Sequence, residues 1–185
     1  MQPHILKSLL VMGIVSLAAC ADSTSPEHDD GVGRVEFLYT SPNSPVSGSF
    51  AAEGARPADL ETGTWAAAAT DQGDAMVVAR RQSGGVHDQA IIFIPGGTTG
   101  TSAIVPDCDD SCAAITVVVH QSIGESVREY LCAIDQGTVT ISTLTSGRIK
   151  GTFSGTGSCE SPHDPNHPAL SIKQGTFDAP FVSPE

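Results

Sequence analysis

The chain is poor in basic residues and in aromatic residues. It carries 9 Lys and Arg against 21 Asp and Glu, which gives a formal net charge of −12. Nucleic-acid binding needs Lys and Arg to displace phosphate counterions, so this charge argues against a nucleic-acid partner. Aromatic residues make up only 5% of the chain, with a single Trp. Few side chains therefore remain for the exposed aromatic platforms that carbohydrate-binding β-sandwiches present.

Helical periodicity and catalytic motifs are also missing. After the first 19 residues, no window of 11 or more residues shows helical spacing free of Gly and Pro. The sequence contains no Gly-x-Ser-x-Gly and no His-Glu-x-x-His motif. The Gly-rich stretch "PGGTTGT" carries no Lys and opens no helix, so it lacks the parts of a phosphate-binding loop. The sequence therefore leans away from an enzyme without deciding the question.

Residues 1–19 have the organisation of an export signal. Lys7 is the one firm positive charge, an uncharged run covers residues 9–17, and Ala18 and Ala19 end it. The apolar run has about 10 residues, roughly half of what a transmembrane helix needs. We therefore predict a signal peptide that is removed from the mature protein.

The end of this segment, Leu17-Ala18-Ala19-Cys20, resembles the lipobox of bacterial lipoproteins. In that family the cysteine sulfur receives a diacylglyceryl group, the signal is cut before the cysteine, and the new amino terminus is acylated. The resemblance implies lipidation at Cys20 and anchoring on the extracytoplasmic side of a bacterial membrane, because several acyl chains hold a protein firmly on a bilayer. Ala21, rather than Asp, follows the cysteine, which slightly favours the outer membrane over the inner one.

Residues 20–33 predict a tether between the lipid and a folded domain. The stretch "ADSTSPEHDDGV" is acidic and has no apolar periodicity, which is typical of a disordered linker. The remaining residues, 34–183, are enough for one domain with a hydrophobic core.

Five Cys is an odd number, which is awkward for an exported protein. With Cys20 lipidated, the other four can form two disulfides in an oxidising compartment. We expect a small loop closed by Cys108 and Cys112 and a second bridge from Cys132 to Cys159. Four cysteines nevertheless allow three pairings, and the sequence does not choose among them.

Two Cys and two His would also suit a structural zinc site. The stretch "DCDDSC" and the stretch "HDPNH", with His163 and His167, contain these ligand types. The long gap between the two stretches and the oxidising location argue against that site. Prolines around both histidines also prevent the helix that would place the two rings on one face. We predict no metal and no cofactor, and keep His163 and His167 as weak candidates for a surface metal site.

From Arg34 onward the chain is typical of strands joined by turns. The stretches "RVEFLYT", "AMVVARR", "QAIIFI" and "AITVVVHQS" each place apolar residues on one face. The stretch "GTVTISTLTSGRIKGTFSGTG" predicts a hairpin around Ser146-Gly147. The fold class is therefore all-β, as an antiparallel β-sandwich or a flattened β-barrel of about 8–10 strands.

Side-chain alternation also places three charged residues on these strands. His120 falls on the opposite face from the apolar residues of "ITVVV", so we expect it to face solvent. Arg80 and Arg81 point to opposite faces of one strand, so one of them is a buried ion-pair partner or an edge residue.

A Gly, a hydroxyl residue and an aromatic residue recur at four places, which end in Phe50, Trp65, Phe153 and Phe177. The aromatic rings either line a ligand site or fill the core while each Gly permits a bulge, and we favour the core. A bulge at Gln174-Gly175 would bring the apolar residues on both sides of it onto one face. The stretch from residue 137 to the C-terminal "GTFDAPF" also resembles the end of small bacterial lipoproteins of unknown function, which implies no activity.

Three functions remain open from the sequence. The favoured one is a non-enzymatic binding or envelope-structural module, whose partners are the membrane through its lipid and an unknown protein or small ligand. The second is a carrier that holds a small apolar ligand inside a β-barrel, suggested by "AIIFI" and "ITVVV". The third and most remote is a metal-dependent enzyme that uses His163, His167 and the acidic residues 107–110.

Overall fold

The predicted alternation of apolar and polar side chains produces ten β-strands. The computed structural model describes residues 31–106, 111–162 and 164–182, and these residues contain no helix. The strands are β1 (Val32–Thr40), β2 (Ser47–Ala55), β3 (Trp65–Asp71), β4 (Asp74–Ser83), β5 (Val86–Ile94), β6 (Gly100–Ile104), β7 (Ala114–Ile123), β8 (Ser126–Leu144), β9 (Arg148–Glu160) and β10 (Ala169–Pro180). The all-β prediction is confirmed.

All ten strands belong to one antiparallel sheet that is nearly closed into a barrel. The hydrogen-bonded order is β2-β1-β10-β9-β8-β7-β5-β4-β3, and β6 pairs with the second half of β8. The predicted hairpin is present, because β8 and β9 pair up to Leu144 and Ile149 beside the turn. This arrangement agrees with the predicted sandwich or flattened barrel.

Short contacts join β3, the strand at one edge of the sheet, to β1 and to the end of β10 near the other edge. A Cβ atom on Gly33 of β1 would lie only 2.0 Å from Ala66 O of β3, so the close approach of these strands requires glycine. Just after β10, Phe181 forms a parallel bridge with Ala68, and the Val182 N–H donates to Ala68 O at 2.8 Å. Strand β3 is thereby held against both β1 and the end of β10.

The interior of the barrel is filled by alternate residues of the strands. The Phe37 and Phe50 rings stack with their centroids 4.8 Å apart, and Phe153 meets Phe37 edge-on at 5.6 Å. Phe50, Phe153 and Phe177 all belong to the buried core. The core interpretation of the glycine–aromatic pattern is therefore confirmed for these three aromatic residues.

A bulge in β10 brings its two apolar halves onto the same face. The register between β10 and β9 shifts between Ile172 and Gly175, and Gln174 has a φ of 54°. A Cβ on Gly175 would lie 2.6 Å from the Phe153 ring, so glycine also lets this ring approach the strand. The predicted bulge at Gln174-Gly175 is confirmed.

Trp65 departs from the core pattern. Its neighbours Ala66 and Ala68 belong to the core, so alternation places Trp65 and Ala67 on the outer face of β3. Trp65 is nevertheless only 5% exposed, because the segment between β2 and β3 lies over this face. Trp65 is therefore buried, as predicted, but on the outer face of β3 and outside the core cluster of the barrel.

The first strand begins slightly before the predicted domain boundary. β1 starts at Val32, two residues ahead of Arg34, and Arg148 Nη2 donates to Val32 O at 2.8 Å. Residues 1–30 lie outside the described residues, so the signal peptide, lipidation of Cys20 and the tether remain predictions. In the part of the chain that the structure describes, no helix is long and apolar enough to cross a membrane.

One expected disulfide crosses the β8–β9 hairpin. Cys132 and Cys159 face each other in the register of the two strands, are bonded to each other and are fully buried. Cys112 is also disulfide-bonded. Cys108 lies outside the described residues, so its pairing with Cys112 remains a prediction.

Candidate binding site

A charged cluster lies at one end of the barrel. Asp88 of β5 is 3% exposed and accepts a hydrogen bond from Arg81 Nε at 3.0 Å; Arg81 Nη2 donates to the same carboxylate. The other oxygen, Asp88 Oδ1, accepts the His120 backbone N–H at 2.8 Å and lies 3.1 Å from His120 Nδ1. Arg81 also donates to Ser49 O at 2.6 Å and places its guanidinium 5.4 Å from the Phe50 ring centre. We call Arg81, Asp88 and His120 the Asp88 cluster.

The prediction that His120 faces solvent is wrong, because its side chain is only 15% exposed. Pairing between β5 and β7 ends at Gln89 and Val118. Beyond that point the Asp88 carboxylate replaces the missing backbone acceptor and holds the imidazole against the strands. On the other side, His120 Nε2 lies 3.3 Å from Glu129 Oε2, on the opposed residue of β8.

The side-chain polar atoms of the Asp88 cluster have partners either within the cluster or directly beside it. All three nitrogens of the Arg81 guanidinium donate to Asp88 or to the backbone, and each His120 ring nitrogen lies beside a carboxylate. A fully satisfied network of this kind rigidifies a fold. We therefore interpret the Asp88 cluster as structural. Arg81 is the ion-pair partner expected at one of the two arginines, but it is only half-buried, and the buried member of the pair is Asp88.

Tyr39 extends this network toward the core. Its hydroxyl accepts a hydrogen bond from Gln121 Nε2 at 2.8 Å. Burial raises the pKa of the Tyr39 phenol, and the negative charge of Asp88 raises it further, while Arg81 offsets part of the effect. The phenol therefore remains neutral at physiological pH and serves as a hydrogen-bonding group.

A cavity of about 400 Å³ opens on the outer face of β3 and β4. This volume is within the range of about 300–1,000 Å³ that is typical of small-ligand sites. Its floor is apolar and comes from two directly paired rows of the strands: Ala67 with Val78, and Ala69 with Met76. We call this feature the outer cavity.

The polar side of the outer cavity combines strand and loop residues. Trp65 and Arg80 are directly opposed in β3 and β4, and both line the cavity. The segment 56–64, which connects β2 to β3, contributes Arg56, Leu60 and Glu61. An apolar floor and a charged wall therefore meet in one opening.

Hydrogen bonds from β4 fasten segment 56–64 over the sheet. Arg80 Nη1 donates to Leu60 O at 2.9 Å. Gln82 accepts the Gly63 N–H through Oε1 at 2.8 Å and donates its own N–H to Thr64 Oγ1 at 3.1 Å. The wall of the outer cavity is thus tied to the sheet at three points.

The lining of the outer cavity contains two unpaired donors. Among the described residues, Trp65 Nε1 and Arg80 Nε are buried and have no hydrogen-bond partner. Leaving a buried donor unpaired costs about 1–3 kcal/mol, so an acceptor that reached these atoms would bind favourably. The polar atoms of the Asp88 cluster have partners, whereas two residues that line the outer cavity each carry a buried donor without one.

Of the two histidines that the sequence offers as weak metal ligands, the structure describes only His167. His167 is exposed and has a φ of 45°, in a loop with no helix. His163 lies outside the described residues. Within the described ranges, no group of three or more His, Cys, Asp or Glu side chains is placed to hold a metal ion. A site at His163 and His167 therefore remains only a prediction.

Comparison with known proteins adds no assignment. No protein-family model, curated protein or solved structure matches the chain. Function is therefore inferred from the residues of the outer cavity and from the N-terminal sequence.

Neither the Asp88 cluster nor the outer cavity was predicted from the sequence, although the sequence contains a pattern that indicates each of them. Extending the alternation of "AIIFI" backwards places Asp88 on the same inward face as Ala90 and Ile92, which marks a buried carboxylate that needs a partner. The run "WAAAA" places small residues on both faces of β3 beside Trp65. Small residues on an outer face allow another segment to approach it closely.

Proposed function

We propose that this chain is a lipid-anchored extracytoplasmic bacterial protein whose β domain acts by binding a small molecule in the outer cavity. The observation that carries the binding proposal is the outer cavity itself, with its apolar floor and two unpaired donors. The lipobox-like sequence at residues 17–20 supports the anchor. The domain thus acts as a binding module, and its tether keeps it at the membrane.

Ligand binding inside the barrel is a weaker alternative. Interior positions such as Ile92, Val117 and Phe153 are at most 3% exposed and pack into one core cluster. A carried ligand would have to displace this core. The outer cavity needs no such change, and we therefore place the small ligand there.

The anchor is tested by the Cys20→Ser variant expressed in a bacterium that processes lipoproteins. The native chain should partition with membranes and incorporate labelled palmitate, because Cys20 supplies the acceptor sulfur. The variant should lose the label and leave the membrane fraction. Equal labelling and equal partitioning of both proteins would contradict lipidation at Cys20.

Binding in the outer cavity is tested with the exported Cys20→Ser protein and a fragment library that contains neutral, anionic and cationic molecules. Ligand-observed NMR should detect fragments that bind this protein and that no longer bind after Ala69→Phe, because the added ring fills the cavity floor. Ala133→Phe is the matched control, since Ala133 is exposed on β8. Circular dichroism verifies the fold of both variants. Fragments that bind all three proteins equally, or no fragments at all, would contradict the proposal.

A further inference from the structure

We infer that the outer cavity selects amphipathic anions, namely molecules with an apolar body and a terminal carboxylate. The inference rests on the proposed function and specifies the ligand class. The apolar floor would contact the apolar body of the ligand. The two unpaired donors and the local excess of arginine would bind its carboxylate.

The apolar body of the ligand is matched by the floor. Ala67, Ala69, Met76 and Val78 present aliphatic and thioether groups, and Met76 is 40% exposed. Leu60, also 40% exposed, faces the cavity from segment 56–64. An aliphatic chain laid between Leu60 and this floor would remove apolar surface from water on both sides.

The head group is matched by the paired residues Trp65 and Arg80. Their unpaired donors, Trp65 Nε1 and Arg80 Nε, belong to directly opposed residues of neighbouring strands. A carboxylate has two oxygens that accept hydrogen bonds, so one group can engage two adjacent donors. A hydroxyl could accept as well, but without the charge that strengthens a bond to Arg80.

The charged residues around the outer cavity favour an anionic ligand, although the chain as a whole is acidic. The sequence contains 9 Lys and Arg against 21 Asp and Glu, yet Arg56 and Arg80 face Glu61 alone among the charged residues lining the cavity. A cationic ligand would place its charge beside the two guanidinium groups. An anion is therefore the charged ligand that this lining accepts.

Segment 56–64 must shift outward for the head group to reach the donors. Both nitrogen atoms are buried, and the segment is tied to Arg80 through Leu60 O. A bound carboxylate would accept from the unpaired Arg80 Nε and Trp65 Nε1, whereas Leu60 O accepts from Arg80 Nη1. Binding should therefore change the surroundings of Trp65, the single Trp of the chain.

The test uses three probes of one length: octanoate, 1-octanol and octylamine. They are titrated into the exported Cys20→Ser protein while Trp65 emission is recorded. Octanoate should shift the emission and bind at least about tenfold more tightly than either of the other probes, because a charge-assisted hydrogen bond is about twice as strong as a neutral one. Binding is confirmed by calorimetry, which does not depend on Trp65.

Charge-removing variants locate the head group. Arg80→Gln and Arg56→Gln should each weaken octanoate binding, by about tenfold or more for Arg80→Gln. Lys173→Gln is the matched control, because Lys173 is exposed on β10, and its affinity should stay within about twofold of the parent since distant surface charges are screened. Arg80→Gln also removes the hydrogen bond to Leu60 O, so it changes the position of segment 56–64 as well as the charge. Arg56→Gln therefore tests the effect of charge separately.

The outcomes separate this inference from the proposed function. Equal affinity for 1-octanol or octylamine, abolished by Ala69→Phe, would overturn the anion preference and leave the outer cavity as a binding site. Octanoate binding that survives both arginine substitutions would overturn the assigned head-group position. Fragments that bind in the cavity while octanoate does not would also overturn the inference. Failure of every probe and every fragment would overturn both proposals.

Discussion

The Asp88→Ala variant should lose about 3–5 kcal/mol of unfolding free energy, which is the usual cost of removing one partner of a buried ion pair. The substitution leaves the Arg81 guanidinium without its carboxylate and the His120 backbone N–H without its acceptor. It also removes the group that holds β7 beside the end of β5. Urea unfolding followed by circular dichroism measures the loss.

Two further variants separate the contributions of charge and geometry at this position. Asp88→Asn keeps an oxygen that can accept the His120 N–H but removes the charge that faces Arg81, so it should cost less than Asp88→Ala. Glu129→Gln changes a side chain that is 60% exposed and contacts the same histidine, so it should cost about 0–1 kcal/mol. A loss at Asp88→Ala no larger than that at Glu129→Gln would contradict the structural role of the Asp88 cluster.

Removing the buried disulfide with Cys132→Ala and Cys159→Ala should lower the unfolding free energy by about 3.5 kcal/mol in the chain-entropy model. The bridge closes a loop with a sequence separation of 27 residues, so its loss enlarges the conformational freedom of the unfolded chain. Both sulfur atoms also pack in the core, and their removal loses contacts there. The urea midpoint of the double variant, compared with that of the parent, measures the effect.

Reduction of the native protein provides an independent check. Cys132 and Cys159 are 0% exposed, whereas Cys112 is half-buried. Under mild reductant without urea, alkylation and mass spectrometry should therefore find Cys112 modified before Cys132 and Cys159. Simultaneous modification of all three, or an unchanged urea midpoint in the double variant, would contradict a protected and stabilising bridge.

Local sequence patterns account for most of the strands. Alternation in "RVEFLYT" and "AITVVVHQS" corresponds to β1 and β7, and the turn at Ser146-Gly147 lies between β8 and β9. The change of phase around Gln174 predicts the bulge in β10, because a strand with one buried face has to restore its register. These features depend on neighbours along the chain or on a hairpin partner, which the sequence displays directly.

The features that the sequence does not predict depend on contacts between distant elements. His120 is half-buried because β5 stops pairing with β7 and Asp88 fills the gap, and alternation within β7 carries no information on this. Trp65 is buried outside the core cluster of the barrel because segment 56–64 folds back over β3. Its preceding Gly and Thr resemble those before the core aromatic residues, so only the position of the covering segment distinguishes it.

The position at which β1 begins limits the distance between the outer cavity and the membrane. Val32 is paired with Ala55, and the next residue, Arg56, already lines the cavity. If Cys20 carries the lipid, the 11 residue steps to Gly31 reach at most about 40 Å when fully extended. The opening is then confined to a thin layer above the bilayer. Amphipathic molecules that leave or enter the membrane pass through that layer, so the anchor would raise the local encounter rate for such ligands.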